Sequence, residues 1–141
     1  MPKSLSNTII HIIFSTKKQE DLISPGIEPK LHGYISTICE NNKCSTIKIG
    51  GTQNHIHIAC LLSKNISISK LVRTIKVESS NWLKSKDKTL KDFTWQGGYG
   101  AFYTDTTHLS TLVEYIKNQK EYHDEKSYEQ EYAELSEEAN I

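Results

Sequence analysis

The sequence predicts an α+β fold: a ferredoxin-like βαββαβ antiparallel sheet with helices on one face, plus C-terminal helices beyond it. Three observations predict it. Apolar, β-branched runs at 8–15, 44–49 and 55–62 are interleaved with two stretches of helical periodicity. Two glycines and an asparagine join the second and third runs with hairpin chemistry, and a glycine cluster at 97–100 leads into a fourth run. A chain of 141 residues fits a single domain over 1–141, with a core at about 5–120 and an acidic C-terminal helix at about 121–141.

Taken in order, residues 8–15 (TIIHIIFS) carry β-branched and aromatic side chains on both faces, which predicts a strand buried on both sides. Pro25 and Pro29 mark a helix start, and Ile27, Leu31, Tyr34, Ile35 and Ile38 recur on one stripe of a helix of about 14 residues. The strands CSTIKI and HIHIACLL should pair antiparallel across Gly50, Gly51 and Asn54. A second helix runs from an N-cap at Ser67 to about Lys84, with Ile68, Leu71, Val72, Ile75 and Trp82 facing inward. A Lys-rich loop precedes the glycine cluster and the strand YGAFYT. Two helical segments follow at about 107–120 and 127–138. The first has the stripe Leu109, Leu112, Val113, Ile116; the second opens with Ser127 and Gln130 in a capping-box relation and, being acidic and weakly apolar, is expected at the rim.

Formal net charge is zero, yet the charge is segregated. Residues 1–113 carry 14 Lys and Arg against 8 Asp and Glu, whereas residues 114–141 carry 3 against 9. A basic body with an acidic tail permits a nucleic-acid partner without requiring one. The N-terminal residues lack the apolar stretch of a secretion signal and no run is long enough to span a bilayer, so a cytoplasmic protein with no membrane partner is expected. Cys39, Cys44 and Cys60 have no paired metal spacing and are expected as reduced, mostly buried thiols.

Side chains alternate along a strand, so His55 and His57 project to the same side while Ile56 packs on the other. Imidazoles about 7 Å apart can grip one cation. The pair alone is a weak signal, since about 0.25 such pairs arise by chance at this histidine content. Tyr115 and Gln119 are four residues apart, hence about 40° apart around a helix axis, on a face beside the apolar stripe. In isolation, without the histidines, a boundary tyrosine and a solvated glutamine account for them better.

Together these pieces become specific. The histidine strand after GGTQN, the segment Leu71-Val72-Arg73, the run Trp95-Gln96-Gly97-Gly98-Tyr99-Gly100-Ala101-Phe102 and Tyr115-Ile116-x-Asn118-Gln119 stand in the order and at the spacing of the HUH single-tyrosine transposases. The chain resembles that family, the small insertion-sequence transposases and the related repeat-associated tyrosine transposases, over roughly residues 5–135. The resemblance implies that His55, His57 and Gln119 bind a divalent ion, Mg2+ or Mn2+. It implies that Tyr115 attacks a phosphate of single-stranded DNA, leaving a 5′-phosphotyrosine and a free 3′-hydroxyl. It further implies recognition of DNA hairpins at element ends and a homodimer in which the Tyr115 helix docks on the partner's metal site.

Family members often carry Asp where this chain has Asn54, a position that strand alternation turns away from His55 and His57. His11 is expected to neighbour the metal strand in a packed structural role. Lys17, Lys18, Lys70, Arg73 and Lys76 are candidates for phosphate contacts, each also readable as a solvated charge, and Trp95 reads as a core or dimer-contact aromatic. Two other readings stand beside the transposase: a derivative that binds hairpins or processes repeats without cutting, and a metal-binding ferredoxin-like module unrelated to DNA.

Overall fold

The computed structural model describes residues 8–123 and 126–139. The readings of residues 1–7, including the N-terminal edge of the core, and of the chain end at 140–141 lie outside them. Strands β1 (Ile9–Ser15), β2 (Thr46–Gly51), β3 (His55–Leu61) and β4 (Gly100–Thr104) form one antiparallel sheet in the order β2-β3-β1-β4. This is the predicted ferredoxin-like order. β1 is buried along its whole length, as expected of a strand with neighbours on both edges and cover on both faces.

Helices α1 (Glu28–Asn41) and α2 (Ile68–Lys86) lie against each other on one face of the sheet. Ile10, Ile12 and Phe14 of β1 and Ile56, Ile58 and Cys60 of β3 meet Leu31, Ile35, Leu71 and Ile75 there. Ser67 caps α2, its Oγ accepting from the Lys70 amide at 3.2 Å. Trp95 belongs to this core: its ring meets Phe14 and Phe93 edge-on, and its indole N–H donates to Ser79 Oγ at 3.0 Å. The three cysteines are free and buried, as expected.

Alternation turns Ile9, His11 and Ile13 of β1 and His55, His57 and Ala59 of β3 to the opposite face, and the C-terminal helices cover it. The predicted helix at 107–120 is divided. A 3₁₀ turn at Thr106–His108 precedes α3 (Leu109–Lys117); Asn118 then leaves the helical region (φ −96°, ψ 21°) before α4 (Gln119–Tyr122). Helix α5 (Tyr128–Ala139) opens with the capping box in full: Gln130 N–H donates to Ser127 Oγ and Ser127 N–H to Gln130 Oε1. Among the described residues no helix is long and apolar enough to cross a membrane.

Candidate active site

His55 and His57 are wholly buried beneath the C-terminal helices. His57 is held from behind by β1, where His11, itself 4% exposed, places Nε2 2.7 Å from His57 Nδ1 with the rings stacked. The structural role expected of His11 is therefore support of a candidate metal ligand. Burial, reinforced by neighbouring His57, depresses His11 and His55 alike to a pKa of about 3, so both imidazoles are neutral near pH 7.

Asn54 corrects the expectation from strand alternation. The residue precedes β3, in the turn, where alternation does not apply, and its Oδ1 lies 2.8 Å from His55 Nδ1. Thr52 Oγ1 lies 2.9 Å from the same nitrogen. An amide oxygen here orients the ring as a carboxylate would, without the charge.

Tyr115 and Gln119 reach the site from α3 and α4 across Asn118. The approach of α3 is set by Gly50 on β2: a Cβ there would fall 2.5 Å from the Ile116 carbonyl oxygen and 2.8 Å from its Cγ2. Gly50→Ala is expected to push α3 outward, destabilising the fold by about 1–3 kcal/mol in chemical denaturation. The same shift should slow any Tyr115 chemistry, since a displacement of about 1 Å at a reacting group costs roughly a hundredfold.

Gln119 is 1% exposed, and its amide N–H groups donate to Glu131 Oε2 at 2.9 Å and to the Tyr115 carbonyl at 3.4 Å. That fixes its Oε1 toward His55 Nε2, 2.9 Å away. A neutral His55 has one N–H but faces an oxygen acceptor at each nitrogen, Asn54 Oδ1 and Gln119 Oε1. With the proton on Nδ1, where Asn54 Oδ1 accepts it, the bare Nε2 and Gln119 Oε1 set lone pairs against each other. A cation between His55 Nε2 and Gln119 Oε1 would relieve it, so the donor set fits a divalent ion.

The C-terminal helix α5 is not at the rim. Tyr128 and Glu131 turn inward, Glu131 being fully buried with Oε1 3.1 Å from His57 Nε2 and 2.9 Å from His123 Nε2. The Tyr115 hydroxyl donates to its other oxygen. Burial opposes ionisation of Glu131, but the bonds from His123, His57 and Tyr115 prevail and hold its carboxyl far below the usual carboxylate range. Burial and then the Glu131 bond push the Tyr115 hydroxyl well above the ordinary phenol range. His123 and Glu131 are the site residues that sequence reasoning missed. Both had a signal: Tyr115, Gln119 and His123 recur every four residues, and Tyr128, Glu131, Tyr132 and Leu135 trace one stripe of α5.

The five candidate phosphate contacts do not gather at one place. Lys18 lines an open cleft of about 600 Å³ that reaches His123 and also holds Lys120 and Lys126. Lys17 is exposed beside it in sequence, whereas Lys70 and Arg73 are exposed on α2. Lys76 is engaged internally, donating to the carbonyls of Gln96 at 2.8 Å and Gly98 at 2.6 Å and thereby pinning the glycine loop.

The sequence profile of the family described as "Transposase IS200 like" matches residues 4–119. Among curated proteins no match was found. Solved structures that share the fold include two transposases. One, from Deinococcus radiodurans, described as a candidate transposase, has 16% identity and a TM-score of 0.65, covering 84% of this chain and 96% of its own. The other is a REP-associated tyrosine transposase bound to a REP hairpin, with 14% identity and a TM-score of 0.64, covering 87% of this chain and 72% of its own.

Proposed function

The chain belongs to the IS200-like transposase family, and from that premise we propose that it cuts and rejoins single-stranded DNA, with Tyr115 as nucleophile. The observation that carries this reading is the convergence of Tyr115, His55, His57 and Gln119 on one buried site, although they come from three separate elements. The Tyr115 oxygen bonds to phosphorus as the bond from phosphorus to the 3′-oxygen breaks. The phenolic proton ends on that oxygen, leaving a 5′-phosphotyrosine and a 3′-hydroxyl. Covalent capture conserves the phosphodiester energy, so the reverse attack by a 3′-hydroxyl rejoins strands without ATP.

His55, His57 and Gln119 would hold a divalent cation, Mg2+ or Mn2+, which when bound polarises the phosphate and stabilises the leaving oxygen. All three donors are neutral, so the ion's charge stays available to the phosphate. His11 and Asn54 fix the orientation of the two imidazoles. The hairpin-bound relative supports a DNA hairpin as the substrate form, and the cleft beside the site bears Lys18 together with Lys120 and Lys126, which a phosphate would have to draw from their ion pairs with Glu28 and Glu134. The test is a labelled hairpin oligonucleotide incubated with Mn2+ and run on a denaturing gel. A covalent adduct is expected; binding without adduct would identify a non-cleaving hairpin-binding or repeat-processing derivative, and neither would remove DNA from the function.

The proposed assembly is a homodimer in which the α3 helix is exchanged, so that each site draws on both chains. Within one chain α3 already lays Tyr115 over its own histidines, the Tyr115 and His57 ring centroids being 5.6 Å apart; exchange would reproduce that contact between chains. Co-expression of His57→Ala with Tyr115→Phe tests this. Random pairing makes about half the dimers mixed, so about a quarter of the wild-type cleavage should return if sites are shared. No recovery, with mixed dimers confirmed by mass, rejects exchange.

A further inference from the structure

Two donors at the histidine pair are unused by the reading above: His123 Nε2, just after α4, and Glu131 Oε1, on α5. The ligand atoms of His55, His57, His123 and Glu131 all lie within 4.8 Å of one another. Glu131 Oε1 is 2.9 Å from His123 Nε2, 3.1 Å from His57 Nε2 and 3.5 Å from His55 Nε2. A tetrahedral zinc centre with ligand bonds of about 2.0–2.1 Å has edges of about 3.3–3.4 Å. The three separations from Glu131 Oε1 bracket that edge.

We infer that His123 and Glu131 join His55 and His57 in a closed, four-donor site for a zinc-class ion, formed while α5 covers the sheet. The inference rests on the reading of His55 and His57 as metal ligands. The donor types point away from magnesium, which wants oxygen and keeps water, and toward a borderline ion bound by imidazole and carboxylate. Burial agrees: His55, His57 and Glu131 are fully enclosed and the His123 side chain is only 11% exposed.

Four protein donors leave no open position, which is what separates a structural metal site from a catalytic one. In this arrangement the second Glu131 oxygen also engages both the Tyr115 hydroxyl and the Gln119 amide. A phosphate oxygen therefore gains the ion only after His123 and Glu131 withdraw, which restores the open set of His55, His57 and Gln119. His123 and Glu131 are thus both ligands and covers of the site.

X-ray absorption of zinc-loaded wild-type protein tests the ligand count without any variant. Three imidazoles are expected; two imidazoles would overturn the proposal. Zinc titration against a competing chelator supplies the second measurement. His123→Ala and Glu131→Gln, checked by circular dichroism, should each weaken zinc binding roughly tenfold or more, as should His57→Ala. Wild-type affinity in His123→Ala and Glu131→Gln, with loss only in His57→Ala, sinks the four-donor site and leaves the catalytic reading intact. Wild-type affinity in His57→Ala sinks both.

Discussion

Tyr115→Phe is expected to abolish the covalent protein–DNA adduct outright, while hairpin binding stays within about twofold of wild type, because only the nucleophilic oxygen is removed. The structure gives little reason for the fold to suffer. A phenylalanine ring keeps the edge contacts with His57 and Tyr122, and the Glu131 oxygen that loses the tyrosine hydroxyl still accepts from Gln119 Nε2. Four other tyrosines serve as controls. Tyr103 is 69% exposed, Tyr122 and Tyr132 donate to Glu134 and to the Tyr99 carbonyl, and Tyr128 is buried against His55. An adduct that survives Tyr115→Phe and disappears in one of these would move the nucleophile. Denaturing gels of labelled hairpin decide it.

The second large effect is at His57. His57→Ala should lose cleavage and its dependence on a divalent ion together, since one imidazole and an amide oxygen make a poor site for a labile cation. DNA binding should fall much less, because phosphate contacts supply most of it. The substitution also removes the partner of His11 Nε2, and an unpaired buried polar group costs about 1–3 kcal/mol, so denaturation should be followed beside activity. Calorimetry showing wild-type metal affinity in His57→Ala would take the histidine pair out of the mechanism.

Much of this fold was legible because its signals are local. The β-branched run of β1, the hairpin glycines and the Ser67 cap each act within a few residues, and the histidines announce their common face by a spacing of two. What escaped was set by tertiary contact. Asn54 belongs to a turn, so the alternation that ordered His55 and His57 said nothing valid about it. Glu131 looked like one more acid in an acidic helix, and only the burial of Tyr128 and the histidines beneath α5 turns it inward. The backbone break at Asn118 was equally hidden, because the periodicity of 107–120 continues through it. Lys76 resembled the exposed cations of α2 until the glycine loop was seen to take its ammonium group.

The short contact between His11 and His57 has a consequence for where protons sit. If His57 Nε2 donates to Glu131, its Nδ1 is bare and must accept from an Nε2–H of His11. If His57 Nε2 instead gives its lone pair to a cation, its proton moves to Nδ1 and His11 Nε2 must become the acceptor. Loading the site therefore reverses the tautomers of two rings at once, on two different strands. His11 is itself no ligand, yet its ring-nitrogen chemical shifts would report the occupancy of the site through His57, as a needle reads a current it does not carry.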